Sequence, residues 1–145
     1  MWATEHAAET PLPASAVWAA LRDIHTGTIA AAGGDVFEIH GPFAVGTELS
    51  VTPAGQDTFR SRIIELVENQ RYADQTEFGD VVLTFRHTLV PTPAGTRVTH
   101  ELAIDGAGAD SLGPELGPQI SADFPAAMQG LFEAAAARSA GVVRS

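Results

Sequence analysis

The sequence predicts an α+β fold in which a curved, antiparallel seven-stranded sheet wraps around a long C-terminal helix. Three observations predict it. A strand-like run and a short helical run open the chain, six runs of period-two alternation follow, and an amphipathic helical stripe closes it. The strand-like runs are joined by short turn signals, and connections this short force antiparallel neighbours. A long sheet with one apolar face must cover that face, and the last helix is the only element able to do so.

Each element has its own signal. Residues 2–12 form a first strand of weak alternation. Pro13-Ala14-Ser15 then opens a helix over Ala16–Arg22, with Ser15 as its N-cap and Val17, Trp18 and Leu21 on its buried face. The stretch from His25 to Gly34 is rich in Ala, Gly and Thr and is a weak second helix or a loop. From Asp35 the period is two, in Asp35–His40, Thr47–Thr52, Thr58–Val67, Arg71–Phe78, Val81–Val90 and Thr96–Ile104. The turns between them include Glu68-Asn69-Gln70, Gly79-Asp80 and Thr92-Pro93-Ala94-Gly95. After Asp105 the Gly-Pro pairs at 113–114 and 117–118 indicate turns. A helical stripe of Ile120, Phe124, Met128, Leu131 and Ala135 then runs to about Arg138. Pro125 lies within it and predicts either a kink or a true start near Asp123.

Composition removes whole chemistries. The chain has 145 residues, 45% of them apolar, which predicts one domain over 1–140 with 141–145 as a C-terminal tail. No run approaches the ~20 apolar residues that span a bilayer, so stable membrane insertion is not expected. Glu5 and Glu9 without a basic run argue against a targeting peptide, and a cytoplasmic location is expected. A formal charge of −10 with scattered arginines argues against nucleic acid as a partner. Cysteine is absent, which excludes thiolate metal sites and cysteine nucleophiles. Lysine is absent too, which excludes Schiff-base chemistry and a P-loop. Arginine without lysine, among many Ala, Gly and Pro, is the usage of a GC-rich bacterial genome. No serine lies in a G-x-S-x-G elbow, and the glycine pairs lack a strand–turn–helix context for a dinucleotide.

One constellation carries chemistry. In Val81–Val90 the apolar positions are Val81, Leu83, Phe85 and Leu89, and His87 falls among them; in Thr96–Ile104, His100 falls among Val98, Leu102 and Ile104. A four-residue loop at Thr92–Gly95 pairs Pro91 with Thr96 and so places His87 directly opposite His100. A two-residue loop at Gly79-Asp80 likewise places Tyr72 opposite His87. The row Tyr72–His87–His100 then crosses three strands on the face turned to the helix. Such histidines are interior residues with satisfied ring nitrogens, or groups that orient a ligand carbonyl or hydroxyl, or an acid–base pair. Two ligands without a clear third do not fix a metal, so none is expected. Glu65 and Asp74 stand opposite each other if the turn is regular. Ile63-Ile64 breaks the alternation, however, and solvated, outward positions are expected for both. His6, His25 and His40 are isolated and expected to be exposed, and Trp18 and Phe124 are expected in the core.

Five strings, in this order and spacing, resemble the polyketide cyclase/dehydratase-like branch of the helix-grip (SRPBCC, START/Bet v 1-like) superfamily. They are Pro13–Trp18, Phe37–Thr47, Leu83–His87, Gly95–His100 and Phe124–Met128. The resemblance covers nearly the whole chain. It implies a deep pocket between sheet and helix that takes lipids, polyketides or other hydrophobic molecules, without cofactor or metal. The chain departs from relatives that carry tryptophans after the first helix, having His25-Thr26-Gly27-Thr28-Ile29 there. The expected function is binding of a small hydrophobic ligand in an internal pocket of roughly 300–1,000 Å³. Its expected lining is Phe37, Leu49, Phe85, Leu89, Leu102, Phe124 and Met128, with His87 and His100. The alternatives are a cyclase or dehydratase using His87, His100 and Tyr72 for acid–base work, and a co-chaperone-like interaction module. The sequence leaves a homodimer open.

Overall fold

In the computed structural model, which describes residues 1–31 and 34–144, seven antiparallel strands form one curved sheet. The strands are β1 (Trp2–Thr10), β2 (Val36–Ile39), β3 (Glu48–Thr52), β4 (Phe59–Val67), β5 (Arg71–Phe78), β6 (Val81–Thr92) and β7 (Gly95–Gly106). Their order is β1-β7-β6-β5-β4-β3-β2: the six later strands meander, and β1 closes onto β7. Three helices complete the chain: α1 (Ala14–His25), α2 (Ala109–Ser121) and α3 (Phe124–Arg144). The sheet curves around α3, as the sequence predicts, and α3 takes in residues 141–144 that the sequence sets apart as a tail.

Helix α1 is longer than expected at both ends. Pro13, extended at φ −69° and ψ 154°, stands before its first residue and no side chain caps it, so Ser15 lies inside the helix instead of capping it. Proline tolerates this place because the first amides of a helix lack partners anyway. At the far end the helix runs through His25, and residues 26–31 follow as turns; residues 32 and 33 lie outside the described residues. Gly27 has φ +76°, and a Cβ there would stand 2.4 Å from the Phe37 carbonyl oxygen. Only glycine lets the chain leave α1 so close to β2.

The Gly-Pro segment is a helix and not the run of turns expected of it. Gly113 and Gly117 lie one turn apart on α2, and the Trp2 side chain fills the space where their Cβ atoms would be, at 2.4 and 2.2 Å. The glycines therefore seat the indole, and tertiary packing overrides the local turn signal. The chain breaks at Ala122 and Asp123, and α3 begins at Phe124 with Pro125 in its first turn, where a missing amide is harmless.

The interior divides into two apolar clusters. One joins Val17, Trp18 and Leu21 of α1 to Leu49, Ile63, Tyr72, Leu89 and Val98 of the sheet and to Met128, Leu131 and Ala135 of α3. The other joins Val81, Leu83, Leu102 and Ile104 to Ala109 of α2 and Phe124 of α3. A buried Asp23 on α1 is held by the guanidinium groups of Arg22 and Arg138, which ties α1 to α3.

Candidate functional site

Register places the site. Tyr72 pairs with His87 and His87 with His100, as the hairpin arithmetic predicts, although the β6–β7 loop is two residues tighter, with Thr92 paired to Gly95. The row extends further than the sequence indicated. His6 of β1 pairs with His100 and Leu66 of β4 with Tyr72, so one row crosses five strands. Directly paired residues share a face, and this face is the one covered by α3. His100 meets Phe124 of α3 edge-on, their rings 6.0 Å apart.

Two residues expected elsewhere complete the cluster. His25, at the end of α1, lies over the sheet with its ring 4.4 Å from Tyr72, 5.3 Å from His87 and 5.0 Å from Phe37. Its place is inside, and the helical spacing from Trp18 and Leu21 was the signal for it. Asp74 is buried as well, and the Tyr72 hydroxyl donates to its Oδ2 at 2.7 Å. The expectation of an outward Asp74 is thus overturned, while Glu65 does face outward. A register shift between Ile63 and Glu65 pairs Glu65 with Ala73 and sends it outward, whereas Asp74 lies two residues beyond Tyr72 on β5 and shares its face. His6 is half-buried and not exposed; its strand joins a partner far along the chain, so no hairpin arithmetic reaches it. His40 alone stays apart, bonded to Ser50 at 2.7 Å.

The electrostatics follow from burial. His87 and His100 stand ring to ring at 4.1 Å, nearly perpendicular, and neither makes a hydrogen bond; Nδ1 of His87 and Nε2 of His100 are buried without a partner. Burial lowers both imidazoles, His87 well below its ordinary range with help from His100 and His25, and His100 to about 3. Both are neutral at ordinary pH. Burial also lowers His25, against the opposing pull of Asp74, and its Nδ1–H donates to the Leu21 carbonyl at 2.8 Å, which leaves Nε2 as an acceptor. Burial raises Asp74, against His25 and the Tyr72 bond, and raises Tyr72, so the phenol keeps its proton. Among the described residues, no three ligating side chains are placed to hold a metal.

The expected lining residues are divided between the two apolar clusters. Leu49, Leu89 and Met128 are packed in the first apolar cluster with Phe37 against it; Leu102 and Phe124 are in the second with Phe85 against it. The histidine row lies between these clusters. Clefts of about 580 and 250 Å³ open elsewhere, the larger lined by Ala14, Asn69–Arg71 and Thr88–Pro91, and of the expected lining only Leu89 borders either. The interior is filled by its own aromatic side chains: Phe43, from the β2–β3 loop, stacks on Tyr72 at 5.8 Å and 4° and meets Trp18 edge-on.

No family model matches the chain, and no curated protein matches it in sequence. Solved structures do match. Protein NE0264 from Nitrosomonas europaea superposes with a TM-score of 0.70 at 17% identity, over 96% of this chain and 97% of that one. Ara h 8.0201 gives 0.65 at 19% identity, over 92% and 93%. The di-domain ARO/CYC StfQ of steffimycin biosynthesis gives 0.69 at 14% identity, over 96% of this chain and 51% of that longer one. Identities this low establish architecture alone, and that architecture is the helix-grip fold.

Proposed function

We propose that the protein binds a small, mostly apolar molecule of lipid, polyketide or aromatic kind between its sheet and α3, with a polar atom of that molecule held by His87 and His100. The observation that carries this reading is the pair of buried ring nitrogens without partners. A buried polar group left unpaired costs about 1–3 kcal/mol, and two adjacent ones are a poor choice for a purely structural interior. A ligand hydroxyl or carbonyl placed between them removes the deficit. Apolar clusters on either side of the row suit the rest of such a molecule. Entry displaces Phe43, which plugs the interior from a loop and is only half-buried. The presence of the same fold in an ARO/CYC of a biosynthetic pathway adds weight.

A second reading, acid–base turnover of a polyketide-like substrate, is favoured by a specific observation. Tyr72, Asp74 and His25 supply the further proton-handling groups that two histidines alone would lack. In this reading His87 and His100 act as acid and base while Tyr72 assists. An interaction module is less favoured, since the exposed large apolar side chains Met1, Val36, Val45, Phe78 and Val90 come from separate stretches of chain.

The test is displacement of a fluorescent probe by aromatic and polyketide-like compounds, followed by a search for product from each binder. Binding that saturates, with compounds returned unchanged, supports the carrier. Conversion lost in both His87→Ala and His100→Ala, with binding intact, supports turnover over the carrier. No displacement by any compound refutes both.

A further inference from the structure

Among the side chains described, imidazole is the group placed to supply positive charge to this interior. Lysine is absent from the chain. Of the arginines, Arg60 and Arg62 hold Glu48, Arg71 and Arg86 hold Glu65, and Arg22 and Arg138 hold Asp23. Arg97 pairs with Glu9 and Val90 in the register that alternates away from His100, on the other face of β7. The groups that face the His87–His100 pair are Tyr72 and Asp74 from β5, His25 from α1 and His6 from β1; α3 contributes Phe124. Asp74 is the one carboxyl in this set.

The fold already shows how it treats a buried acid. Asp74 is placed beside Tyr72, which donates to it, and near His25, whose charge it favours although burial outweighs that pull and lowers the imidazole. An imidazole near a buried carboxylate can hold a proton that the apolar surroundings otherwise refuse. On the other side of His87 the arrangement is the same but for one missing member: two imidazoles, buried ring nitrogens, and no anion.

Resting on the binding reading above, we propose that the ligand is itself an acid, an apolar molecule with a carboxyl group ionised in neutral solution, and that it binds as the anion with uptake of one proton onto the His87–His100 pair. The proton comes from solvent, and the bound complex is an internal ion pair with no net charge. Two imidazoles share the one proton, since the second would meet the first at close range.

The experiment pairs apolar acids with their own neutral amides: benzoic, 2-naphthoic and dodecanoic acid, each against its primary amide. Affinities are measured by calorimetry from pH 6 to 8 in phosphate and in Tris, whose differing ionisation heats report protons taken up. For an acid that binds, the expected result is uptake of close to one proton and affinity rising about tenfold for each pH unit lowered. Its amide should bind more weakly with no pH slope. His87→Asn and His100→Asn keep a hydrogen-bonding side chain that cannot charge; together they should abolish the acid's proton uptake and flatten the pH slope of its affinity. Amides that bind as well as the acids, without pH slope, would overturn the proposal and leave the binding reading standing. Acids that bind with no proton taken up, or with uptake unchanged in the double variant, would also overturn it. If no acid and no amide binds, the binding reading fails and the proposal with it.

Discussion

The two faces of the sheet handle charge in opposite ways. On the outer face, Glu65 accepts from Arg71 and Arg86, each at 3.0 Å, and Glu48 accepts from Arg60 at 3.1 Å and Arg62 at 3.3 Å. The hydrogen bond from Arg86 holds the Glu65 carboxyl below its usual range, and Arg62 does the same for Glu48. Every member is paired, yet water screens the pairs and each adds little to stability. On the inner face, half-buried His87 and buried His100 each keep one buried ring nitrogen without a partner. What this teaches is where the fold places its polar partners: the outer charges are saturated, while the inner row keeps the unmet nitrogens on which the proposed binding reading rests.

Acid should break the comparison most severely. His25, His87 and His100 are all lowered by burial, whereas in the unfolded chain they bind protons near the ordinary value of about 6.5. A lowered folded value means that the stabilising neutral state is fully present above that pH. Stability then falls as pH drops, by at most about 1.4 kcal/mol per pH unit for each group, until the folded value is reached, about 3 for His100. Asp74 works in the opposite sense, because its raised folded value favours the fold at low pH, but it is one group against three. Chemical denaturation at pH 7.5 and pH 5 should show the loss, and a flat profile would contradict the neutral, buried assignment.

Next in size is Tyr72→Phe, which removes the donor to buried Asp74 and should cost about 1–3 kcal/mol. A cost below about 0.5 kcal/mol in urea melts would mean that the Tyr72–Asp74 bond does not form. His100→Leu sharpens the contrast. It deletes a buried nitrogen that has no partner, so stability at pH 7 should hold or rise by up to about 1 kcal/mol while probe binding weakens. Parallel loss of stability and binding would assign His100 a structural role. Smallest of all is Glu65→Gln on the outer face, worth about 0.2–1 kcal/mol and shrinking with added salt.

The sheet was legible because hairpins are local. Turn lengths at Gly79-Asp80 and Thr92–Gly95 set the register, and period-two alternation set the face, so Tyr72, His87 and His100 could be aligned from sequence. What failed was non-local or overridden. His6 meets His100, ninety-four residues away, through β1, and nothing near it in sequence says so. His25 lay one helical turn past an expected end, and the broken alternation at Ile63-Ile64 drew Asp74 outward with Glu65, although its spacing from Tyr72 keeps it on the inner face. The α2 helix was hidden by Gly-Pro pairs whose purpose, seating Trp2, exists only in three dimensions. Nor does local patterning reveal that Phe43, from the β2–β3 loop, stacks on Tyr72.

The most direct test of the inner-face deficit is a histidine-ring NMR titration of the ¹⁵N-labelled protein with 2-naphthol and with 2-naphthoic acid. The ring signals of His87 and His100 should shift and saturate together with binding, while His40, bonded to Ser50 away from the row, stays still. Saturable binding that leaves the rings of His87 and His100 unmoved would contradict the account.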